Sequence, residues 1–82
     1  SNLFVNMSIY RISNPFGYNN HITIYDDNPT IQDLIDKSGL KDIQIYDIRI
    51  NAIKRMNPLP NDETLPELNI SSKDTRNKLW YN

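Results

Sequence analysis

His21, ten carboxylates and a few serines are the groups through which this chain could do acid–base, nucleophilic or metal chemistry, since it has no cysteine. A zinc site takes three or four ligands of the Cys, His and carboxylate type, and His21 has no second histidine to join it. It reads as a half-exposed strand residue. Asp26 and Asp27, with Asp33 and Asp36, concentrate acid in one short stretch. Their spacing lacks the central glycine and terminal glutamate of a calcium-binding EF-hand loop, so they read as the solvated start of a helix. Ser71 and Ser72 stand near Asp74 with no base in the motif, which describes a loop turn. No phosphate-cradling glycine loop, dinucleotide fingerprint or nucleophile elbow is present. The expectation is a chain without catalysis, cofactor or metal.

Recognition chemistry is better represented. Phe16, Tyr18, Tyr25, Trp80 and Tyr81 could stack on nucleobases, with Arg11, Lys54 and Arg55 as cations. A single-strand binder needs such platforms inside a positive groove, and a duplex binder a basic stripe. Nine basic and ten acidic residues are spread along both halves, for a net charge of −1. Aromatic residues on strands more often belong to a core or its rim. A protein partner is therefore preferred, and a small single-stranded nucleic-acid-binding domain is kept as an alternative. A small-molecule substrate is not expected.

At 82 residues the chain is one domain, 1–82, of a size that can bury a single core. Ser1 and Asn2 read as a vector remnant, with Met7 as one candidate native start. The lack of cysteine favours a reducing compartment, so the expected location is intracellular, in cytoplasm or nucleus. No apolar run nears the ~18 residues of a membrane span, and no cleavable signal is visible. Twelve Asn and twelve Ile suggest the coding bias of an AT-rich genome. The Asn residues are scattered, which excludes a prion-like tract.

These residues must be positioned by a few short elements. Residues 3–12, LFVNMSIYRI, place Leu3, Val5, Met7 and Ile9 on one parity, and period two predicts a strand. SNPFGYNN over 13–20 is rich in turn formers, and HITIYD over 21–26 alternates again, predicting a hairpin. The period then changes: Ile31, Leu34 and Ile35 form a helical stripe over about Ile31 to Lys37. Thr30 suits the N-cap, with Asp33 three residues on, and Gly39 suits the stop. Residues 42–53, DIQIYDIRINAI, predict a third strand. Its even face would carry Ile48, Ile50 and Ala52, and its odd face Asp47, Arg49, Asn51 and Ile53. A bend near Tyr46 would bring Ile43 and Ile45 inward as well. A short strand near Leu59 and a last one in NKLWYN complete an α+β domain with a mixed four- to five-stranded sheet on one helix.

The stretch NDETLPELNISS, 61–72, puts Leu65, Leu68 and Ile70 into a segment that Pro66 keeps out of any regular helix interior. Asp62-Glu63-Thr64-Leu65-Pro66-Glu67-Leu68-Asn69-Ile70 resembles the acid-Gly-x-Thr-Leu run, polar turn, apolar residue, Asn and Ile of the ubiquitin-like family. Thr30-Ile31 and KSGL are similar to that family's helix start and end, and IRIN to its third strand. The resemblance is strong over 61–75 and looser elsewhere. It implies a β-grasp fold of order β-β-α-β-β-(3₁₀)-β, with Leu65, Leu68 and Ile70 plugging the open end of the core.

For function the resemblance implies a non-covalent protein–protein interaction module, a domain or subunit of a larger assembly. Conjugated members end in Gly-Gly, whereas this sequence ends Leu79-Trp80-Tyr81-Asn82 and has only Gly17 and Gly39. It is in that respect similar to the non-conjugated, elongin B-like members. A conjugatable modifier whose tail lies beyond Asn82 is the alternative. The expected partner surface is the outward sheet face around the third strand: Arg49, Asn51, Ile53 and Arg55, with Lys78 beside them. Ile53 would anchor protein partners offering acidic–apolar segments. No contact with membrane is expected.

Overall fold

The computed structural model describes residues 7–48, 57–72 and 79–82. Its elements are β1 (Ser8–Ser13), β2 (Asn19–Ile24), α1 (Ile31–Ser38), β3 (Ile45–Asp47) and β4 (Leu79–Tyr81). Among the described residues the fold is α+β, with one helix against a four-stranded mixed sheet in the order β2-β1-β4-β3. β1 is antiparallel to β2, β4 is antiparallel to β3, and the central pair β1 and β4 is parallel.

β1 buries Tyr10 and Ile12, while its Ile9 and the preceding Met7 are exposed, so the parity carrying Met7 and Ile9 faces solvent. The register explains this, because Tyr10 lies opposite Ile22 and Ser8 opposite Ile24, and Ile22 and Ile24 supply β2's buried face. Both parities of β1 carry large apolar residues, and alternation cannot choose between two apolar faces. The turn is tighter than the turn-former run 13–20, with Asn19 and Asn20 already in β2. Asn14 builds it. Its Oδ1 accepts from the backbone N–H groups of Phe16 and Tyr18, at 3.0 and 2.9 Å. Gly17 takes φ 87°, a left-handed value that glycine adopts without strain.

α1 buries Ile31, Leu34 and Ile35 and is closed at both ends. Thr30 Oγ1 accepts from Asp33 N–H at 3.1 Å, while Asp33 Oδ2 accepts from Thr30 N–H at 2.9 Å, a reciprocal capping box. Gly39 ends the helix at φ 75°.

Thr64 to Ile70 forms one helical turn. Glu67 N–H donates to Thr64 Oγ1 at 3.3 Å, so Thr64 acts as an N-cap. Pro66 sits in that first turn, where a missing N–H leaves no intrahelical bond unmade. Ile70 N–H donates to Leu65 O at 2.9 Å, and Asn69 N–H to Pro66 O at 3.0 Å. With Asn69 at φ 61°, these bonds form a Schellman stop, whose usual apolar contact joins Leu65 to Ile70. Both residues are buried, while Leu68 is half-buried against the core rather than fully enclosed.

That turn is fastened to the helix start. Ile31 N–H donates to Glu63 O at 3.1 Å and Gln32 N–H to Asn61 O at 2.9 Å, while Leu65 N–H donates to Pro29 O at 2.8 Å. The helix's unpaired first-turn donors thus find acceptors in the distant segment. Ile12, Ile22, Ile31, Leu34, Ile45, Leu65 and Leu79 are fully buried together. Each such side chain contributes about 1.5–3 kcal/mol by leaving water.

The third strand differs from expectation. Within the described residues β3 stops at Asp47, which shares the buried face with Ile45, and Ile48 is a turn residue. β3 runs through Tyr46 without a break, so the expected bend does not fall at that residue. Ile43 packs partly against the core, as the bend was expected to allow. Leu59 is buried but lies in no strand. A single bond, Leu59 N–H to Ile45 O at 2.7 Å, lays it along the outer edge of β3.

Candidate docking face on the sheet

One face of the sheet is the core, so side chains of the other parity form an outer face whose members follow from the registers. Arg11 lies opposite His21, and Ile9 opposite Thr23. Trp80 lies beside Ser13 on one side and opposite Tyr46 on the other. Neighbours on one face of paired strands have Cβ atoms about 4.5–5.5 Å apart, which makes Trp80 and Tyr46 an aromatic pair across β4 and β3. Both are half-buried, with Leu79 and Tyr81 turned into the core on either side of Trp80.

Two shallow depressions flank this pair. One, of about 430 Å³, is walled by Arg11, Asn14, Pro15, Ile48 and Trp80 among others. The second, of about 340 Å³, lies between Pro15, Tyr46 and Trp80. Trp80 and Pro15 belong to both and form the ridge between them. Among the described residues no Asp or Glu lines either depression, and Arg11 lines the first. At the neighbouring hairpin tip, Phe16 and Tyr18 are 86 % and 69 % exposed, on a backbone that Asn14 holds by two bonds. An exposed aromatic on a held loop loses little conformational freedom when a partner covers it.

The expected partner residues Arg49, Asn51, Ile53, Arg55 and Lys78 lie outside the described residues. Trp80, Phe16, Tyr18 and Tyr25 are at least partly accessible, whereas Tyr81 is buried and cannot serve as a stacking platform. Tyr46, Ile48 and Pro15 were not expected at a site. Ile48 was expected on the even, apolar face; the inward turn of Asp47 reverses that, and the wrong parity hid both Tyr46 and Ile48.

The groups considered for chemistry have structural work. Asp33 closes the capping box, Asp36 accepts from Gln32 Nε2 at 2.9 Å, and Asp26 accepts from Asn28 N–H at 2.9 Å. His21 is exposed on β2. Among the described residues, no three His, Cys, Asp or Glu side chains come together in a metal-holding group. No helix there is long and apolar enough to cross a membrane. Comparison with protein-family models, with curated proteins and with solved structures found no match to this chain.

Proposed function

We propose that this chain is a ubiquitin-like β-grasp domain acting as a non-covalent protein-interaction module, docking partners on the outer sheet face around Trp80. Support for the fold comes from the order β-β-α-β-turn-β and from the buried Leu65 and Ile70 closing one end of the core. The observation that carries the function is Trp80 itself. It is a half-buried tryptophan on β4, between two depressions that no described Asp or Glu side chain lines. Binding energy at protein interfaces concentrates in such aromatic anchors. A partner segment with an apolar residue among acidic ones is the proposed complement, its apolar residue packing on the ridge of Trp80 and Pro15. Arg49, Asn51, Ile53, Arg55 and Lys78 remain part of this proposal as partner-binding residues, the cations among them complementing a partner's acids. The reading places the domain inside the cell and gives it no reaction or cofactor.

Trp80 is the chain's one tryptophan, so its fluorescence reports on the site directly. Dye-labelled synthetic peptides carrying Leu or Phe between Asp and Glu residues serve as probes read by anisotropy, so that wild type and Trp80→Thr are measured alike, with dye-labelled oligo-dT as the control for nucleic acid. Saturable binding of a peptide, weakened about tenfold or more (~1.4 kcal/mol) by Trp80→Thr, is expected. Binding of oligo-dT alone, or peptide binding indifferent to Trp80→Thr, contradicts the proposal.

A further inference from the structure

We propose that the free edge of β2 is a self-association surface, on which a second copy of this chain docks its own β2 antiparallel. The hairpin fixes which backbone groups face that edge. Asn14 N–H donates to Tyr18 O at 3.1 Å, and bonded pairs alternate along an antiparallel ladder. Stepping two residues at a time, the bonded pairs are Ile12–Asn20, Tyr10–Ile22 and Ser8–Ile24. The N–H and C=O groups of Asn19, His21 and Thr23 therefore point away from β1. Their side chains are exposed, and among the described residues no strand lies beyond β2.

The two sheet edges are treated differently. The β3 edge is short, and Leu59 covers it through its bond to Ile45 O. The β2 edge has six residues in unbroken register, with no bulge. From Asn19 to Tyr25 it carries no Lys, Arg, Asp, Glu or Pro, so it lacks the usual guards against edge-to-edge pairing.

An uncharged edge selects its own kind. A two-fold axis through His21 sets Asn19 of each copy opposite Thr23 of the other, and His21 opposite His21. Every edge-facing backbone group of these three residues then finds its complement, as an isologous contact requires. No Lys, Arg, Asp or Glu of β2 meets another across the axis, whereas a charged partner strand finds no Lys, Arg, Asp or Glu on this edge to pair with. The surface meets the Trp80 site only at Asn19, which also lines the first depression, and Trp80→Thr leaves the β2 edge intact, so the two proposals are tested separately.

Sedimentation of the chain over a wide concentration range tests it, together with amide exchange. Wild type and Thr23→Val should shift from monomer to dimer as concentration rises. His21 and Thr23 amides should gain protection with concentration, while Ile22 and Ile24 are protected throughout. Thr23→Pro removes an edge-facing N–H while sparing the bonds between β1 and β2, and should stay monomeric with an unchanged circular-dichroism spectrum. Thr23→Lys, which leaves the backbone intact, should do the same if the proline variant fails to fold. A wild-type chain that stays monomeric at every concentration overturns the proposal, as does a folded Thr23→Pro or Thr23→Lys that dimerises like wild type.

Discussion

Ile31 N–H donates to the carbonyl of Glu63 across 3.1 Å, so the first turn of the helix is completed by a segment far along the chain. The segment holding Glu63 also carries Leu65 and Ile70 into the core. Helix start and core closure are thus one construction, and loss of either should be felt at the other.

Leu65→Ala should cost about 2–5 kcal/mol, the range for truncating a fully buried leucine. Since whole domains are stable by only about 5–15 kcal/mol, a large part of the folded population would be lost. Urea denaturation followed by circular dichroism checks this. An unmoved midpoint would mean that the 64–70 turn does not close the core.

Thr30→Ala removes the acceptor for Asp33 N–H and breaks the capping box. A loss of about 0.5–2 kcal/mol is expected in the same experiment. Asp33→Ala should cost a comparable amount, and the double variant less than the sum, because both changes remove one reciprocal pair.

Gly39→Ala isolates backbone strain. A Cβ there would touch nothing within 4 Å, and φ is +75°. The whole cost is conformational, about 1–2 kcal/mol. A neutral result would show that the helix does not stop in the left-handed conformation.

Tyr10 gives a pH signature. Burial raises its phenol above the ordinary 10.0. Above that pH the unfolded chain ionises while the folded one keeps its proton, so the unfolded state binds fewer protons and stability falls as pH rises. The contribution is complete below pH 10 and is lost as pH climbs through the raised value. Wild type should therefore lose stability relative to Tyr10→Phe from about pH 10 upward. Parallel curves for the two proteins would contradict a buried, neutral Tyr10.

The helix was legible because its signals agree. The apolar stripe, Thr30 with Asp33, and Gly39 each mark the same boundaries, and all three are seen. The packed turn at 64–70 was legible through Leu65 and Ile70, whose burial a solvated loop would not tolerate. Strand faces were harder. Met7 and Ile9 compete with Tyr10 and Ile12 for the interior, and only the pairing with Ile22 and Ile24 decides. Asp47 is a stronger case: alternation assigns a carboxylate to solvent, yet it is 2 % exposed. That placement reversed the parity of β3, so Tyr46 was missed as the companion of Trp80. Leu59 kept its burial without its strand, because one bond to Ile45 is enough to seat a leucine between two prolines.

The most direct test of the central claim is a chemical-shift titration of labelled protein with an acidic–apolar peptide that it binds, following the Trp80 indole N–H and the backbone amides together. Shifts should gather on Trp80, Tyr46, Arg11 and the 14–18 turn, with the helix face of Gln32, Asp33, Asp36 and Lys37 silent, since covering those polar groups costs desolvation for little apolar gain. Shifts confined to residues 31–38, with the Trp80 indole unmoved, would contradict docking on the sheet face.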